Sequence, residues 1–321
     1  MIDHKFSVAP MIDCTDRHFR YFARLLSKKA VLYTEMITSG AVLHATYDHL
    51  EYNDTVEHPV ILQLGGNNPH DLAKCAKLAA VRKYSGINLN VGCPSNRVQN
   101  GAFGVCMMKQ PDLLADIYTA MSDAVELPIS IKTRIGVDEY DSYDFLCSLV
   151  DKVSSRGCKQ WIIHARKAWL QGLSPKQNRD IPPLKYDVVY KLKQDFPELD
   201  IVINGGIENF TQIKEHLNVV DGVMLGRKVY KDPFCLTEVD STLFGAADFA
   251  LTRQEIILKM LPYIERHIKN DGRISNITKH LLNLFHSTPN GKLWRRFLTE
   301  NVPARNQDLS VVTDALAILE K

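Results

Sequence analysis

The chain has 321 residues, 45% of them hydrophobic and 24% charged, with a formal net charge of +2. That balance excludes a disordered or low-complexity chain and suits one large globular domain plus a small one. Seven cysteines with no CxxC pair, and no HExxH or Cys/His zinc spacing, speak against a disulfide framework or a metal site and for a reducing cytosol.

Eight short apolar runs, bounded by turn residues and separated by helix-like segments, follow one another: Phe6–Met11, Val31–Met36, Pro59–Leu64, Gly86–Val91, Pro128–Thr133, Gln160–Ala165, Asp200–Asn204 and Gly222–Leu225. Continuous apolar strands alternating with helices imply a parallel sheet buried on both faces, and eight such units fit a (β/α)8 TIM barrel. A doubly wound sheet is the alternative, disfavoured because no GxGxxG follows the first strand. Asn68-Pro69 and Gln110-Pro111 each place proline at a first helical position.

After Pro233 the strand signal stops. Thr252-Arg253-Gln254-Glu255 has capping-box spacing ahead of a helix that Pro262 should kink or split. Further helices are expected over Ser275–Phe285, Lys292–Leu298 and Leu309–Leu319, with Leu293, Trp294, Phe297 and Leu298 as core. The expected domains are residues 1–243, the barrel, and 244–321, a small all-helical domain. Between Thr252 and Arg305 there are ten Lys/Arg against four acids, so the rest of the chain sums to about −4. Such asymmetry suggests a basic region facing a polyanion. The opening Met1-Ile2-Asp3-His4-Lys5 lacks signal-peptide character, and no apolar stretch approaches the ~18 residues of a membrane span, so a cytoplasmic protein without a membrane partner is expected.

Chemistry concentrates where strands end. The fourth strand runs as Ile87-Asn88-Leu89-Asn90-Val91 into Gly92-Cys93-Pro94 and a loop with Gly101 and Gly104. A thiol is thus delivered to a strand's C-terminal end, where a barrel keeps its active site. The local pattern leaves Cys93 open between a functional thiol and a small buried hydrophobe. Lys132 and His164 end strands five and six, and Gln63 and Pro10-Met11-Ile12 end strands three and one. Asn204-Gly205-Gly206 and Gly226-Arg227 end strands seven and eight, the usual phosphate position in a barrel, with glycines for close backbone approach and an arginine for a fork to phosphate.

The motif Asn88-x-Asn90-x-Gly92-Cys93-Pro94-Ser95, followed by Val98-x-x-Gly101-x-x-Gly104-x-x-Met107-Met108, resembles the active-site signature of the flavin-dependent tRNA-dihydrouridine synthases. Ala9-Pro10-Met11, Gln63, Lys132-x-Arg134, His164-Ala165-Arg166, Asn204-Gly205-Gly206 and Gly226-Arg227 match in the same order, so the resemblance spans the chain. The stretch from Arg166 to Arg179 resembles one branch, the A type, which acts in the D-loop.

The resemblance implies FMN held by Pro10, Met11, Ile12, Gln63, Lys132, His164, Asn204, Gly205, Gly206, Gly226 and Arg227, with Lys132 facing the anionic edge of the reduced ring. It implies hydride passing from NADPH to FMN to uracil C6, and Cys93 protonating C5, as suits a thiol that stays protonated near neutrality. It also implies that Asn90 reads the uridine, that Lys176, Arg179, Lys292 and Arg295 contact tRNA at the D-loop and elbow, and that positions 20 and 20a are served. Lys292 departs from the family's arginine and keeps the charge without the planar fork. A monomer is expected. The competing readings are an FMN barrel acting on a free pyrimidine, as dihydroorotate dehydrogenases do, and a tRNA-binding protein that has lost redox chemistry.

Overall fold

The computed structural model describes residues 2–52 and 56–319. Met1 and residues 320–321, the outer ends of the two expected domains, lie outside them. The chain folds into two compact units, Met1–Ile12 with Val31–Leu225, and Asp13–Ala30 with Gly226–Lys321.

The first unit is a parallel barrel. Its strands are β1 (Phe6–Val8), β2 (Leu32–Thr38), β3 (Val60–Gly65), β4 (Gly86–Val91), β5 (Ile129–Arg134), β6 (Gln160–His164), β7 (Asp200–Asn204) and β8 (Gly222–Leu225). They are hydrogen-bonded in the order β1-β8-β7-β6-β5-β4-β3-β2. Val8 N donates to Val31 O at 2.9 Å and Val31 N to Phe6 O at 3.1 Å, which joins β1 to the start of β2 and completes the ring. β1 is shorter than the expected Phe6–Met11. Its last ladder bond, Ala9 N to Leu225 O at 2.7 Å, precedes Pro10, which has no N–H to continue it.

Inside the barrel Ala9, Val31, Tyr33, Ile61, Ile162, Val202 and Met224 form one buried cluster, to which partly buried Ile2 adds. Interior and exterior side chains alternate along each strand, so the barrel is filled rather than open. The helices Pro69–Val81 and Pro111–Ser122 start on the expected prolines, and Asn68 Oδ1 accepts the Asp71 N–H to cap the first.

The second unit is helical. Thr252 and Glu255 form the expected capping box on the helix Arg253–Lys269. That helix runs uninterrupted through Pro262, contrary to the split the sequence allowed. Pro262 is exposed, as is Leu258 at 53%, so the carbonyl left without a donor faces water. Trp294 and Leu298 are buried, whereas Phe297 is only half-buried and Leu293 is exposed at 38%. Leu293 is therefore not core: positions 294 and 298 share the inward face, and 293 lies about 100° around the helix from 294. In this unit Asp16 caps the helix Arg17–Leu26, pairs with Lys279 at 2.9 Å and lies 2.8 Å from His280 Nε2. Burial alone would raise the Asp16 carboxyl, but His280, the Phe19 N–H and Lys279 hold it well below the usual range. Among the described residues no helix is long and apolar enough to cross a membrane, and no group of three or more His, Cys, Asp or Glu could hold a metal ion.

Candidate active site at the barrel rim

Within β4 the apolar residues Ile87, Leu89 and Val91 alternate with Asn88 and Asn90, which puts both amides on one face of the strand. The register sets Asn88 between Gln63 of β3 and Ser130 of β5, and sets Asn90 beside Lys132. The result is a continuous line of hydrogen bonds. Asn90 Oδ1 accepts from the backbone of Gly92 at 3.2 Å and Cys93 at 3.0 Å. Asn90 Nδ2 donates to Gln63 Oε1 at 3.0 Å, Gln63 Nε2 to Asn88 Oδ1 at 2.8 Å, and Asn88 Nδ2 to Ser130 Oγ at 2.9 Å. Ser130 Oγ in turn donates to Ile87 O at 3.3 Å. Gln63 is 1% exposed and Asn90 9%, so the line is dry and each amide is held in one orientation.

Cys93 follows β4 on the first turn beyond the strand and is half-buried, with its Sγ 3.5 Å from Ser95 Oγ. Its carbonyl accepts from Val105 N at 3.1 Å, which folds the loop back over itself. Gly104, at φ +58°, makes that return possible: a Cβ there would lie 2.3 Å from Val98 Cγ1 and 2.8 Å from Cys93 O.

Lys132, one strand over, donates from Nζ to Asn204 Oδ1 at 3.0 Å. Asn204 is fixed in turn by its Nδ2, which donates to Met224 O at 2.7 Å. Burial pushes the Lys132 amine down to about 7, Arg134 adding to the fall and Cys93 opposing it. None of these influences is a carboxylate. A half-buried amine placed near a barrel rim with no carboxylate among the groups that shift it suits an anionic ligand, and the donor set fits the pyrimidine edge of a reduced flavin.

Arg134, two residues on, is 4% exposed and bonded to three carbonyls: its Nε donates to Gly92 O at 2.9 Å, and its Nη1 to Lys167 O and Asn178 O, each at 3.0 Å. Burial lowers it to about 10, against the pull of Cys93 and with the help of Arg179 and Arg166. Cys93 therefore lies within electrostatic reach of two basic side chains, Lys132 and Arg134.

His164 pairs in register with Arg134 on one side and Asn204 on the other. Gly205, at φ +119°, has its missing Cβ only 2.7 Å from the His164 ring, so this glycine makes room for the imidazole as well as for the turn. Pro10 and Met11 are half-buried and Ile12 is exposed at 54%. Lys176 and Arg179 are exposed on the loop after β6. Gly226 and Arg227 follow β8 directly and belong to the helical unit. In that unit Lys292 and Arg295 are both exposed, three residues apart on the helix Gly291–Asn301 and so on one face.

The strand ends thus bring together Cys93, Asn90, Gln63, Lys132, His164 and Asn204. Asn88, Arg134 and Asn178 lie in the matching motifs but had no role of their own, and Gln99 and Asp138 were not singled out. For Asn88 a signal existed, since it shares the period-2 face of Asn90 inside an apolar strand. The others act through loop-to-loop contacts that no local pattern encodes.

An eight-stranded parallel barrel with a thiol, a half-buried amine and fixed amides at its C-terminal rim is the layout of a barrel enzyme. Comparison with known proteins names the family. The family model described as "Dihydrouridine synthase (Dus)" matches residues 7–319, and the chain belongs to that family. It is 55% identical over 311 residues to the tRNA-dihydrouridine(20/20a) synthase of Shewanella oneidensis, covering 97% of this chain and 92% of that protein. It is 53% identical over 318 residues to the protein of the same name from Vibrio parahaemolyticus, covering 99% and 97%. With that of Escherichia coli K12 the identity is 52% over 316 residues, covering 98% and 91%.

Proposed function

We propose that this protein reduces uridines in the D-loop of tRNA to 5,6-dihydrouridine, at positions 20 and 20a as its relatives' names state, using FMN that is re-reduced by NADPH. The observation that carries this reading is the Lys132 amine near the C-terminal end of β5, held by Asn204 Oδ1 at 3.0 Å, next in register to Asn90 and within electrostatic reach of Cys93. An anion-accepting edge and a proton donor at adjoining strand ends are what reduction of a conjugated C5=C6 bond requires.

FMN, when bound, supplies the hydride for uracil C6. Lys132 would stabilise negative charge beside it, and Gln63, His164, Asn204 and the Pro10–Ile12 backbone would hold the ring. The ends of β7 and β8, with Gly205, Gly206, Gly226 and Arg227, are assigned the phosphate. As C6 gains hydride the C5=C6 pair becomes a carbanion-like centre at C5, and Cys93 Sγ gives it a proton. The thiolate left behind recovers its proton from solvent. Asn90, whose position the amide line fixes, meets the base. The base must leave its stack to reach this depth. Lys176 and Arg179 on the loop after β6, and Lys292 and Arg295 in residues 244–321, take tRNA phosphates. The reaction is placed in the cytoplasm and assigned to a monomer.

The test is direct. The purified protein is expected to be yellow with non-covalent FMN, and with NADPH to add two hydrogens to D-loop uridines of unmodified tRNA, mapped by mass spectrometry. Colourless protein that cannot be reconstituted with FMN, or tRNA of unchanged mass, refutes the reading.

A further inference from the structure

The loop that carries Cys93 is tied to the loop after β6 at several points. Gln99 Nε2 donates to Pro94 O and to Leu170 O, both at 3.0 Å. A primary amide nitrogen has two hydrogens, so Gln99 spends its whole donor capacity on this bridge. Leu170 is gripped on its other side, where its N–H donates to Asp138 Oδ1 at 2.8 Å. Asp138 itself donates from its backbone N to Ala168 O at 2.8 Å and pairs through Oδ2 with Lys109 at 3.0 Å, at the end of the Cys93 loop. Arg134 holds Gly92, the residue before Cys93, to Lys167 and Asn178. The thiol is thus bracketed: Arg134 fixes the carbonyl before it and Gln99 the carbonyl after it, and both reach the loop that carries Lys176 and Arg179.

We propose that Gln99 is a positioning residue, which holds Pro94 and hence the Cys93 thiol in register with the RNA-contacting loop after β6. The proposal rests on the function assigned above. Gln99 does not touch the reacting atoms; it acts on the backbone that aims the thiol. Because Arg134 and Asp138 keep the loops together, loss of Gln99 alone shifts the thiol without unfolding the loop. Misplacement of a reacting group by about an ångström is enough to cost on the order of 10²-fold in rate.

The test uses the flavin-loaded, full-length protein with Gln99→Glu and Gln99→Ala. Glutamate is isosteric but sets a carboxylate oxygen against two carbonyl oxygens, whereas alanine removes the bridge and adds no charge. Two readouts are taken: single-turnover reoxidation of reduced enzyme at saturating tRNA, and the rate of Cys93 alkylation by iodoacetamide in the protein alone, followed at its own peptide by mass spectrometry. In both variants reoxidation is expected to fall by roughly 10-fold to 10²-fold with tRNA affinity within about twofold of wild type, glutamate being the worse. Alkylation is expected to rise severalfold, since a loosened loop exposes the thiol. Either rate at its wild-type value in both variants overturns the proposal, as does a loss confined to tRNA affinity. If the wild-type enzyme is itself not reoxidised by tRNA, the functional assignment has failed, and alkylation alone then decides whether Gln99 holds the thiol. Should Gln99→Glu not fold, Gln99→Ala carries both readouts.

Discussion

Replacing Lys132 with methionine should make the ligand-free protein more stable while ruining its use of flavin. The fall from 10.5 to about 7 means that the ammonium costs roughly 5 kcal/mol more to hold in this site than in water. At pH 6 folded and unfolded chains both carry the proton, so the whole cost falls on the fold. At pH 9 the folded amine is neutral and the unfolded one still charged, and the remaining cost is that of removing a proton from the unfolded chain, roughly 2 kcal/mol. Stability therefore rises with pH between about 7 and 10.5 in the wild type, because the unfolded chain binds the extra proton. Methionine is similar in length and uncharged, but leaves Asn204 Oδ1 without its donor, which gives back about 1–3 kcal/mol. The net gain is roughly 2–4 kcal/mol at pH 6 and near zero at pH 9. That corresponds to a rise in Tm of roughly 3–9 °C at the lower pH. Calorimetry of flavin-stripped wild type and Lys132→Met at the two pH values measures it. A variant no more stable than wild type at pH 6, or one with the same gain at both, refutes the reasoning. In flavin-loaded protein the same change is expected to slow NADPH-driven reduction by on the order of 10²-fold, the usual worth of one donor at a developing anion.

Two further outcomes separate the half-reactions and the units. Cys93→Ala should keep FMN and its reduction by NADPH but slow reoxidation by tRNA by roughly 10²–10⁴-fold, with little rescue by serine; a wild-type rate in rapid mixing would make Cys93 a packing residue. Arg295→Ala should weaken tRNA binding and flatten the salt dependence of log Kd by about one unit, leaving flavin reduction intact. Equal damage to flavin reduction would show that the helical unit is not separable in this way.

The barrel was readable because a strand buried on both faces has a composition of its own. The expected bounds of β4, β7 and β8 coincide with the observed ones, each set off by glycine or a turn residue at its ends. β1 was overextended because apolar residues continue past Val8, and apolarity does not report that proline has ended the ladder. Pro262 does not split its helix, one of the two outcomes the sequence left open. A missing N–H is tolerated more readily where the freed carbonyl can reach water, and solvent exposure of that face is a tertiary fact. Leu293 was placed in the core on its type alone, although Trp294 and Leu298 had the spacing that defined the inward face. In the site, residues at strand ends were legible since strand order maps them to one rim. Gln99, Asp138 and Asn178 were not, because what matters in them is the backbone group they meet, a carbonyl for the two amides and the Leu170 N–H for Asp138, in a segment some 30 to 70 positions away or in a loop's own interior.

The line of amides in the barrel also has a direction. It starts at the backbone N–H groups of Gly92 and Cys93 and ends at the backbone carbonyl of Ile87, and neither terminus can reverse its polarity. Turning any one amide end for end would set oxygen against oxygen and nitrogen against nitrogen along the row. Asn90 therefore arrives at the rim with its oxygen already spoken for twice and one N–H unspent. It can offer a hydrogen and can receive none. A carbonyl oxygen of a pyrimidine is a partner for such a group, and an exocyclic amino group is not.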